Sequence, residues 1–435
     1  MKNALPLAHS ASGHTTSPRA KTLVLSLLGI LVLLTTAGAT LAQAPPPVPT
    51  VSTLTIKSTV LGEDRRILVR TPAGYETNKI AYPVMYMTDG DAHILHTTAT
   101  AEFLARNGRM SELIVVAIPN TDRTRDLTPT KPSNAGATGA PQFPTAGGAD
   151  NFLKFIETEL MPEIQKSYRV TPYKILAGHS LGGMFAVNAM VTKPEMFNAF
   201  IAVSPALQWD NQLVVKRAED FFKARKDKEF NATFFMSMGN EPGPIEDGFH
   251  QMKMILTKNQ VKGFEWDAQE MPDEDHGSVV LRSHYFALRK VYDGWQMPRD
   301  PMTGGIAGGL TAADEHYAKL SKKFGYSLQV PEVMVNQIGY QHLFADEVDK
   351  AIEVLKVQVE RYPASANPYD SLGEAYERAG KLDLAVPMYE KAAAIGKQNN
   401  DANAALFKTN FDRASEKLKA ELAKKNGADP AKKTQ

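Results

Sequence analysis

The sequence predicts an α/β protein in which a mostly parallel sheet is flanked by helices, followed by a small all-α C-terminal domain. Two observations carry this prediction. Short apolar runs alternate with helical patterns up to residue 295, and a 34-residue spacing recurs after residue 331. Buried strands that alternate with helices are typical of a parallel sheet covered on both faces. A 34-residue period is typical of tetratricopeptide (TPR) repeats, which are purely helical.

Length and composition limit the function classes. The chain has 435 residues, a formal net charge of +1 and no cysteine. This length accommodates a full-sized domain and a smaller one. The balanced charge gives no indication of nucleic-acid binding. The absence of cysteine excludes thiol catalysis, disulfides and cysteine-ligated metals, and we expect no cofactor.

Residues 1–44 are predicted to be a signal peptide. Basic residues up to Lys21 precede the apolar run Leu23–Leu34, and small residues then continue to Ala44. A basic start, an apolar core and a small-residue cleavage site are the parts of a secretory signal. The apolar run is shorter than the ~20 residues that span a bilayer, which favours a cleaved signal over a membrane anchor. We therefore expect export, to the periplasm if the source is Gram-negative.

Residues 45–297 are predicted to form the α/β domain. It begins with a hairpin, because alternating strand-forming residues lie on both sides of a turn at Gly62. Five continuous apolar runs then predict buried strands: Val84–Met87, Leu113–Ile118, Ile175–Ala177, Phe200–Val203 and Phe234–Met238. Helices are predicted at Asn151–Tyr168 and Gly183–Val191. Before the first of these helices, Lys131–Gly148 is rich in Pro, Gly, Ala, Ser and Thr and is predicted to be a long surface loop.

The remaining chain is predicted to be a linker and helices. Residues 298–330 form a linker with one helix, 331–424 a TPR-like module and 425–435 a disordered tail. Matching residues recur 34 positions apart, as in Ile338 and Leu372, Gly339 and Gly373, Ala351 and Ala385, and Leu355 and Tyr389. Two repeats are fewer than the three or so that bury a stacked core. We therefore expect the module to pack on the α/β domain or on a second copy.

The most informative segment for function is Gly178-His-Ser180-Leu-Gly182, between an apolar strand and an apolar helix. Gly-x-Ser-x-Gly in this context puts a serine hydroxyl on a sharp, exposed turn. The flanking glycines let the strand and helix backbones approach closely. The pattern predicts that Ser180 is the nucleophile of an acyl-transfer reaction. The alternative is an ordinary glycine turn.

A serine nucleophile needs a base, and His276 is the preferred candidate. In folds with this turn the chain order is Ser, acid, His, which removes the upstream histidines. His276 lies in a polar loop after the predicted strand Phe264–Met271, where α/β sheets present functional groups. His284 lies within a helix, and His250 leaves little room for an intervening acid. His179, inside the turn, is expected to pack locally.

The acid is expected in the loop after Phe234–Met238. Glu241 is preferred there, and Glu246 and Asp247 stay open. The backbone N–H groups of Leu181 and Asp91 are the predicted donors to an oxyanion.

Two further side chains are candidates for substrate contact. Trp209 could form a pocket wall, although packing explains it equally well. Arg123 could bind an anionic substrate group, although a solvated loop with an internal ion pair explains it at least as well. His93 and His96 lie near two aspartates, but their spacing matches no metal-ligand pattern, so a polar helix start is the preferred interpretation.

Longer segments resemble the esterase-D-like family of α/β-hydrolases, especially the branch of periplasmic ferri-siderophore esterases. The resemblance covers about residues 52–295. It is carried by six motifs: Tyr86-Met-Thr-Asp89-Gly90, Asn120-Thr-Asp-Arg123-Thr-Arg125-Asp126-Leu-Thr-Pro129, Gly147-Gly-Ala-Asp-Asn-Phe152-Leu, Gly178-His-Ser180-Leu-Gly-Gly183, Ser204-Pro205 and Glu274-Asp-His276-Gly-Ser-Val279. It implies the α/β-hydrolase fold and ester hydrolysis by Ser180 and His276. Some siderophore-cleaving relatives use only a Ser–His pair, so the resemblance does not fix the role of Glu241.

The leading hypothesis is an exported serine esterase that forms an acyl-enzyme and acts on a small-molecule ester, with ferri-siderophore trilactones as one candidate. The alternatives are a non-catalytic hydrolase-fold protein that recruits partners through its repeats, and an acyltransferase or peptidase on the same fold. The TPR-like repeats are expected to bind a protein partner or a second copy of the chain.

Overall fold

The computed structural model describes residues 51–132 and 142–427. The predicted signal peptide, most of the predicted disordered tail and the middle of the predicted loop Lys131–Gly148 lie outside the described residues. No helix in the described ranges is long and apolar enough to cross a membrane.

The centre of the α/β part is an eight-stranded sheet in the order β1-β2-β4-β3-β5-β6-β7-β8. β1 and β2 form an antiparallel hairpin, and β2 also pairs antiparallel with β4, whereas β4, β3 and β5 to β8 are mutually parallel. The predicted mostly parallel sheet is therefore confirmed. The strands are β1 (Val51–Ser58), β2 (Glu63–Arg70), β3 (Tyr82–Met87), β4 (Ile114–Ala117), β5 (Val170–His179), β6 (Ala199–Val203), β7 (Glu229–Met238) and β8 (Lys262–Glu270).

Helices cover both faces of the sheet, and the described residues after α8 contain further helices and no named strand. Those of the α/β part are α1 (Gly90–Arg106), α2 (Arg123–Leu127), α3 (Ala149–Phe155), α4 (Met161–Ser167), α5 (Leu181–Thr192), α6 (Trp209–Lys223), α7 (Pro244–Lys258) and α8 (Val279–Val291). The C-terminal helices are α9 (Gly309–Phe324), α10 (Glu332–Phe344), α11 (Val348–Arg361), α12 (Asn367–Arg378), α13 (Leu382–Gln398) and α14 (Ala404–Gly427).

Two elements differ from the sequence-based expectation. The single helix predicted at Asn151–Tyr168 is divided by a π-helical turn, Ile156–Leu160, into α3 and α4. The strand predicted at Ile175–Ala177 is much longer, because β5 also pairs through Val170 and Lys174 before this run and through Gly178 and His179 after it. The apolar run reveals only the part of a strand that helices cover on both faces.

Alternate residues of each central strand point into two separate hydrophobic cores. Val84 and Tyr86 of β3 pack with α3, α5, α6 and α7 on one face. Met85 and Met87 pack with α1, α8 and α9 on the other. Because successive strand residues point to opposite faces, one continuous apolar run supplies both cores.

The C-terminal helices share the second of these cores. Phe324, at the end of α9, is buried, and its ring centroid lies 4.8 Å from that of Tyr173 in β5 and 5.0 Å from that of Tyr292 after α8. The Arg361 guanidinium in α11 donates two hydrogen bonds to Asp314 in α9, of 2.7 and 2.8 Å. The helical region therefore packs on the α/β domain, which is one of the two expected arrangements.

Equivalent contacts recur in two helix pairs, α10 with α11 and α12 with α13. A Cβ atom at Gly339 would lie 2.5 Å from Leu355, and one at Gly373 would lie 2.9 Å from Tyr389. In each pair a glycine of the first helix therefore lets a large side chain of the second approach its backbone. This repetition agrees with the 34-residue spacing, and the assignment to the TPR class stays a prediction.

We predict that Phe324→Ala destabilises the whole chain. Removing a buried phenylalanine leaves a cavity and costs about 3–5 kcal/mol. Phe344→Ala is the matched control, because Phe344 is 77% exposed and surface substitutions change stability by about 0.5 kcal/mol or less. Thermal unfolding followed by circular dichroism measures both. Equal melting temperatures in the two variants would contradict the shared core.

Candidate active site

Ser180 occupies a strained turn between β5 and α5. Its backbone has φ 59° and ψ −116°, a conformation that L-residues rarely adopt and that costs on the order of 1–3 kcal/mol. The Ser180 N–H donates a 2.9 Å hydrogen bond to the Val203 carbonyl at the end of β6. A hydrogen bond to a neighbouring strand thus fixes the turn, as expected where a serine hydroxyl must be exposed at the edge of the sheet.

The glycines of the motif are required by close packing. A Cβ atom at Gly178 would lie 2.2 Å from the Gly182 carbonyl oxygen. One at Gly182 would lie 2.2 Å from the Thr88 hydroxyl, which follows β3. Any side chain at these positions would push α5 away from β5 or from the loop after β3.

His276 and Glu241 form a hydrogen-bonded pair at the same edge of the sheet. The Nδ1 atom of His276 bonds Oε2 of Glu241. The other oxygen, Oε1, accepts from the Ser204 hydroxyl at 2.6 Å and from the Gly239 N–H at 3.1 Å. Glu241 is almost fully buried, whereas the His276 ring is 41% exposed. A carboxylate fixed in this way orients the imidazole and leaves its Nε2 atom available as a proton acceptor.

The two other candidate acids do not make this contact. Glu246 and Asp247 lie in the first turn of α7, and the hydrogen bonds of the described residues join neither of them to His276. Of the three carboxylates left open by the sequence, the structure brings only Glu241 to His276.

His179 links the Ser180 turn to the His276 loop. Its Nε2 atom donates to the His276 carbonyl at 2.7 Å, and the two ring centroids lie 4.6 Å apart. Burial, followed by the neighbouring imidazole of His276, lowers the pKa of His179 to about 4. His179 is therefore neutral near pH 7 and holds the backbone of His276. The local packing that the sequence predicts for His179 is thus a hydrogen bond that joins the Ser180 turn to the His276 loop.

Leu181 and Asp91 lie at the starts of two helices that begin side by side. Leu181 is the first residue of α5 and Asp91 the second of α1. Their preceding strands are neighbours, and the Thr88 N–H donates to the Ala177 carbonyl at 3.1 Å. The first N–H groups of a helix have no acceptor within it and lie at the positive end of its dipole. Both predicted donors therefore belong to a part of the fold that attracts an anion.

Arg123 is occupied by protein groups. Its guanidinium donates to both carboxylate oxygens of Asp89, at 2.6 and 3.1 Å, and to the His179 carbonyl at 3.1 Å. The internal ion pair that is the alternative interpretation of this loop is also present, between Arg125 and Asp126 at 2.7 Å. The proposed contact of Arg123 with substrate stays a prediction.

Trp209 is buried at the start of α6 and packs in the first core. Its Nε1 atom donates a 3.3 Å hydrogen bond to the Thr130 carbonyl, and its ring centroid lies 4.9 Å from that of Phe143. These contacts favour the packing alternative, and among the described residues no hydrogen bond or ring pair joins Trp209 to Ser180 or His276.

The sequence did not predict that four histidines would cluster behind the site. The ring centroid of His93 in α1 lies 5.6 Å from that of His179 and 5.2 Å from that of His96, and His96 lies 5.7 Å from His284 in α8. No group of three or more such residues in the described part of the chain is suited to a metal. Burial lowers the pKa of all four imidazoles, so they form a neutral cluster near pH 7.

Comparison with known proteins identifies the family to which this chain is similar. The model of the Esterase family, described as "Putative esterase", matches residues 58–276. The chain is 27% identical over 228 residues to "Ferri-bacillibactin esterase BesA" of Bacillus subtilis, covering 48% of this chain and 79% of that protein. It is 30% identical over 255 residues to "Siderophore enterobactin esterase" of Emericella nidulans, covering 49% and 82%.

A solved structure agrees with these relatives. The crystal structure of an IroE-like serine hydrolase from Shewanella oneidensis has a TM-score of 0.61 and 27% identity, and the match covers 72% of this chain and all of that one.

We predict that acid destabilises the chain through the histidine cluster. The pKa of His179 is about 4 in the folded state and ~6.5 when unfolded. The unfolded chain therefore binds more protons between these values, so stability is fully present above pH ~6.5 and is lost as the pH falls towards 4. His179 alone would contribute on the order of 3 kcal/mol.

Melting temperatures between pH 4.5 and 7.5 measure this loss. His93→Gln should flatten the profile, although Asp89, Asp91 and Arg123 also lie near this ring and partly offset one another. His250→Gln is the control, since His250 is exposed and paired with Glu270. A His93→Gln profile as steep as that of the control would contradict the prediction.

Proposed function

Because the chain belongs to the esterase family of α/β-hydrolases and is an ester hydrolase, we propose that it acts through a Ser180–His276–Glu241 triad on siderophore esters. Two hydrogen bonds support the triad. The buried Glu241 carboxylate bonds the His276 ring, and the His276 carbonyl accepts a hydrogen bond from His179, the residue before Ser180. The chain order of the three residues also follows the order found with this turn.

The reaction proceeds in two steps. The Ser180 hydroxyl attacks the ester carbonyl while His276 Nε2 takes its proton, and the resulting oxyanion accepts hydrogen bonds from the Leu181 and Asp91 N–H groups. Collapse of this intermediate breaks the bond to the alkoxide, which receives the proton from His276 and leaves an acyl-Ser180. Water, deprotonated by His276, then attacks the acyl group and regenerates the serine. Glu241 orients the imidazole and stabilises its charged form throughout.

The substrate class is supported by the relatives. Both curated relatives are named as siderophore esterases, and each is matched over about four-fifths of its length. We propose that the substrate is a ferri-siderophore whose backbone is a cyclic trilactone. Hydrolysis of one lactone bond opens such a ring and adds one carboxylate and one hydroxyl to the product.

Export and partner binding complete the proposal. The basic start and apolar run of residues 1–44 support secretion, and the periplasm would be the destination in a Gram-negative cell. The paired helices α10 to α13, with their repeated contacts, support a TPR-like module that binds a protein or a second copy. Cell fractionation with and without residues 1–44 tests the first of these, because loss of the segment should leave the protein in the cytoplasm.

We predict that Ser180→Ala lowers kcat by about 10³-fold or more, since loss of the nucleophile removes the acyl-enzyme route. Hydrolysis of p-nitrophenyl butyrate and of an iron-loaded cyclic trilactone, the latter followed by chromatography of the opened product, measures it. The wild type should also be labelled by a fluorophosphonate and the variant should not. An unlabelled wild type without esterase activity would favour the non-catalytic alternative.

We predict that Glu241→Gln lowers kcat by roughly 10²–10⁴-fold, because an amide no longer stabilises the imidazolium. Glu246→Gln and Asp247→Asn are matched controls on the next helix and should keep the wild-type kcat. If Glu241→Gln were as active as these controls, a Ser–His pair would suffice and Glu241 would have only a structural role.

A further inference from the structure

The loops that follow the parallel strands bring an excess of carboxylates to the edge of the sheet that carries Ser180. Counted from the end of each of β3 to β8 through the first turn of the next helix, they contain eleven acidic and three basic residues. We call the acidic residues the acidic rim: Asp89, Asp91, Asp122, Asp126, Asp210, Glu241, Glu246, Asp247, Asp273, Glu274 and Asp275. Because the whole chain has a formal net charge of +1, negative charge is concentrated at this edge.

The three basic residues of these loops are arginines that already bind carboxylates. Their partners lie at 2.6 to 3.1 Å and are Asp89 for Arg123, Glu63 and Asp126 for Arg125, and Asp273 and Glu274 for Arg282. The segment between α2 and α3 adds one exposed cation, Lys131. An arginine that is paired in this way offers little net charge to an anionic ligand, so the excess of carboxylates determines the sign of the charge at this edge.

Several carboxylates of the acidic rim are exposed close to the catalytic residues. Asp275 directly precedes His276, and its Oδ1 atom accepts two backbone N–H groups of the same loop, both at 2.8 Å. This carboxylate is therefore fixed beside the proposed base. Asp91 and Asp247 are also exposed, in the first turns of α1 and α7.

Hydrogen bonds between the loops hold the rim together. The Asn240 N–H, after β7, donates to the Glu274 carbonyl, after β8, at 2.7 Å. The Ala206 N–H, after β6, donates to the Ser180 carbonyl at 3.0 Å. The strands β3, β5, β6, β7 and β8 are also neighbours in the sheet. The charges of the rim therefore lie around one site and are not scattered over the surface.

The net charge of a ferri-siderophore depends on the groups that bind its iron. Each catecholate binds Fe³⁺ as a dianion and each hydroxamate as a monoanion. Three catecholates therefore give a trianionic complex, and three hydroxamates give a neutral one. A cleft lined by charges of one sign repels ligands of the same sign and changes their association rates by about 10–10³-fold.

We infer that the acidic rim selects substrates by net charge, and that the trilactone cleaved by this chain is a neutral ferric trihydroxamate and not an anionic ferric tricatecholate. The inference rests on the proposed function, because it names the substrate class of the same site. The rim does not prevent stabilisation of the oxyanion, since the N–H groups and the positive dipole ends of α1 and α5 act within the first turn of each helix. The larger iron complex must instead pass the rim as a whole.

The first test compares the two kinds of trilactone at two ionic strengths. At about 20 mM salt, kcat/KM for the ferric trihydroxamate should exceed that for the ferric tricatecholate by about tenfold or more. Raising the salt to about 500 mM shortens the Debye length from roughly 20 Å to roughly 4 Å. The tricatecholate value should then rise several-fold, because its repulsion is screened, and the trihydroxamate value should change by less than about twofold. Chromatography of the opened rings measures both.

The second test removes charge from the rim. Glu246→Gln combined with Asp247→Asn should shift the ratio of the two kcat/KM values about 3–10-fold towards the tricatecholate at low salt, because two repulsive charges are lost. Glu163→Gln combined with Glu195→Gln is the matched control. These residues precede the amino ends of β5 and β6, at the opposite edge of the sheet, so the control should keep the wild-type ratio.

Three results would overturn the inference. The first is a preference for the tricatecholate at low salt, and the second is a ratio that salt does not change. The third is a shift of the ratio in the control as large as that in the rim variant. Cleavage of p-nitrophenyl butyrate by the wild type, lost in Ser180→Ala, separates these failures from failure of the proposed function. If that ester is cleaved and neither trilactone is opened, the proposed siderophore substrate fails and this inference fails with it.

Discussion

The site depends on one backbone constraint: non-glycine residues held in left-handed conformations where neighbouring strands end. Asp89, Ser180 and Ser204 have φ values of 54°, 59° and 39°, and they follow β3, β5 and β6, which are adjacent in the sheet. Each such residue costs on the order of 1–3 kcal/mol unless its surroundings enforce it. Parallel strands enforce it here, because their carboxyl ends meet at one edge and their last hydrogen bonds fix where each chain must turn.

Each of these strained residues makes a different contribution to the site. Ser180 presents a hydroxyl, the Ser204 hydroxyl donates a 2.6 Å hydrogen bond to Glu241, and the Asp89 carboxylate accepts hydrogen bonds from Arg123. The strain therefore lies where the chain leaves the sheet and does not extend into the strands. Because hydrophobic cores pack on both faces of the sheet, the fold can tolerate three unfavourable turns at the ends of three adjacent strands.

The sequence predicts the parts of this arrangement that are local. Apolar runs reveal buried strands, and Gly-x-Ser-x-Gly reveals the turn at Ser180, because both signals lie within ten residues. The order of serine, acid and histidine narrows the acid to Glu241, Glu246 or Asp247, but only the contact between the loops after β7 and β8 selects Glu241. The Arg123–Asp89 pair and the cluster of His93 and His284 join separate elements, so no local pattern could have identified them.

The C-terminal helices are connected to the site through the second hydrophobic core. They pack on the second core, which also contains α1 and α8. The first of these helices, α1, contains Asp91, one of the two proposed oxyanion donors, and the second, α8, begins three residues after His276. Phe324 stacks on Tyr292 at the far end of α8, so α9 restrains the end of the helix opposite the catalytic loop. A helix held at its far end transmits less movement to its start, because packed interiors deform little. The helical region thus stabilises the face of the sheet that carries the proposed oxyanion donor Asp91 and the proposed base His276.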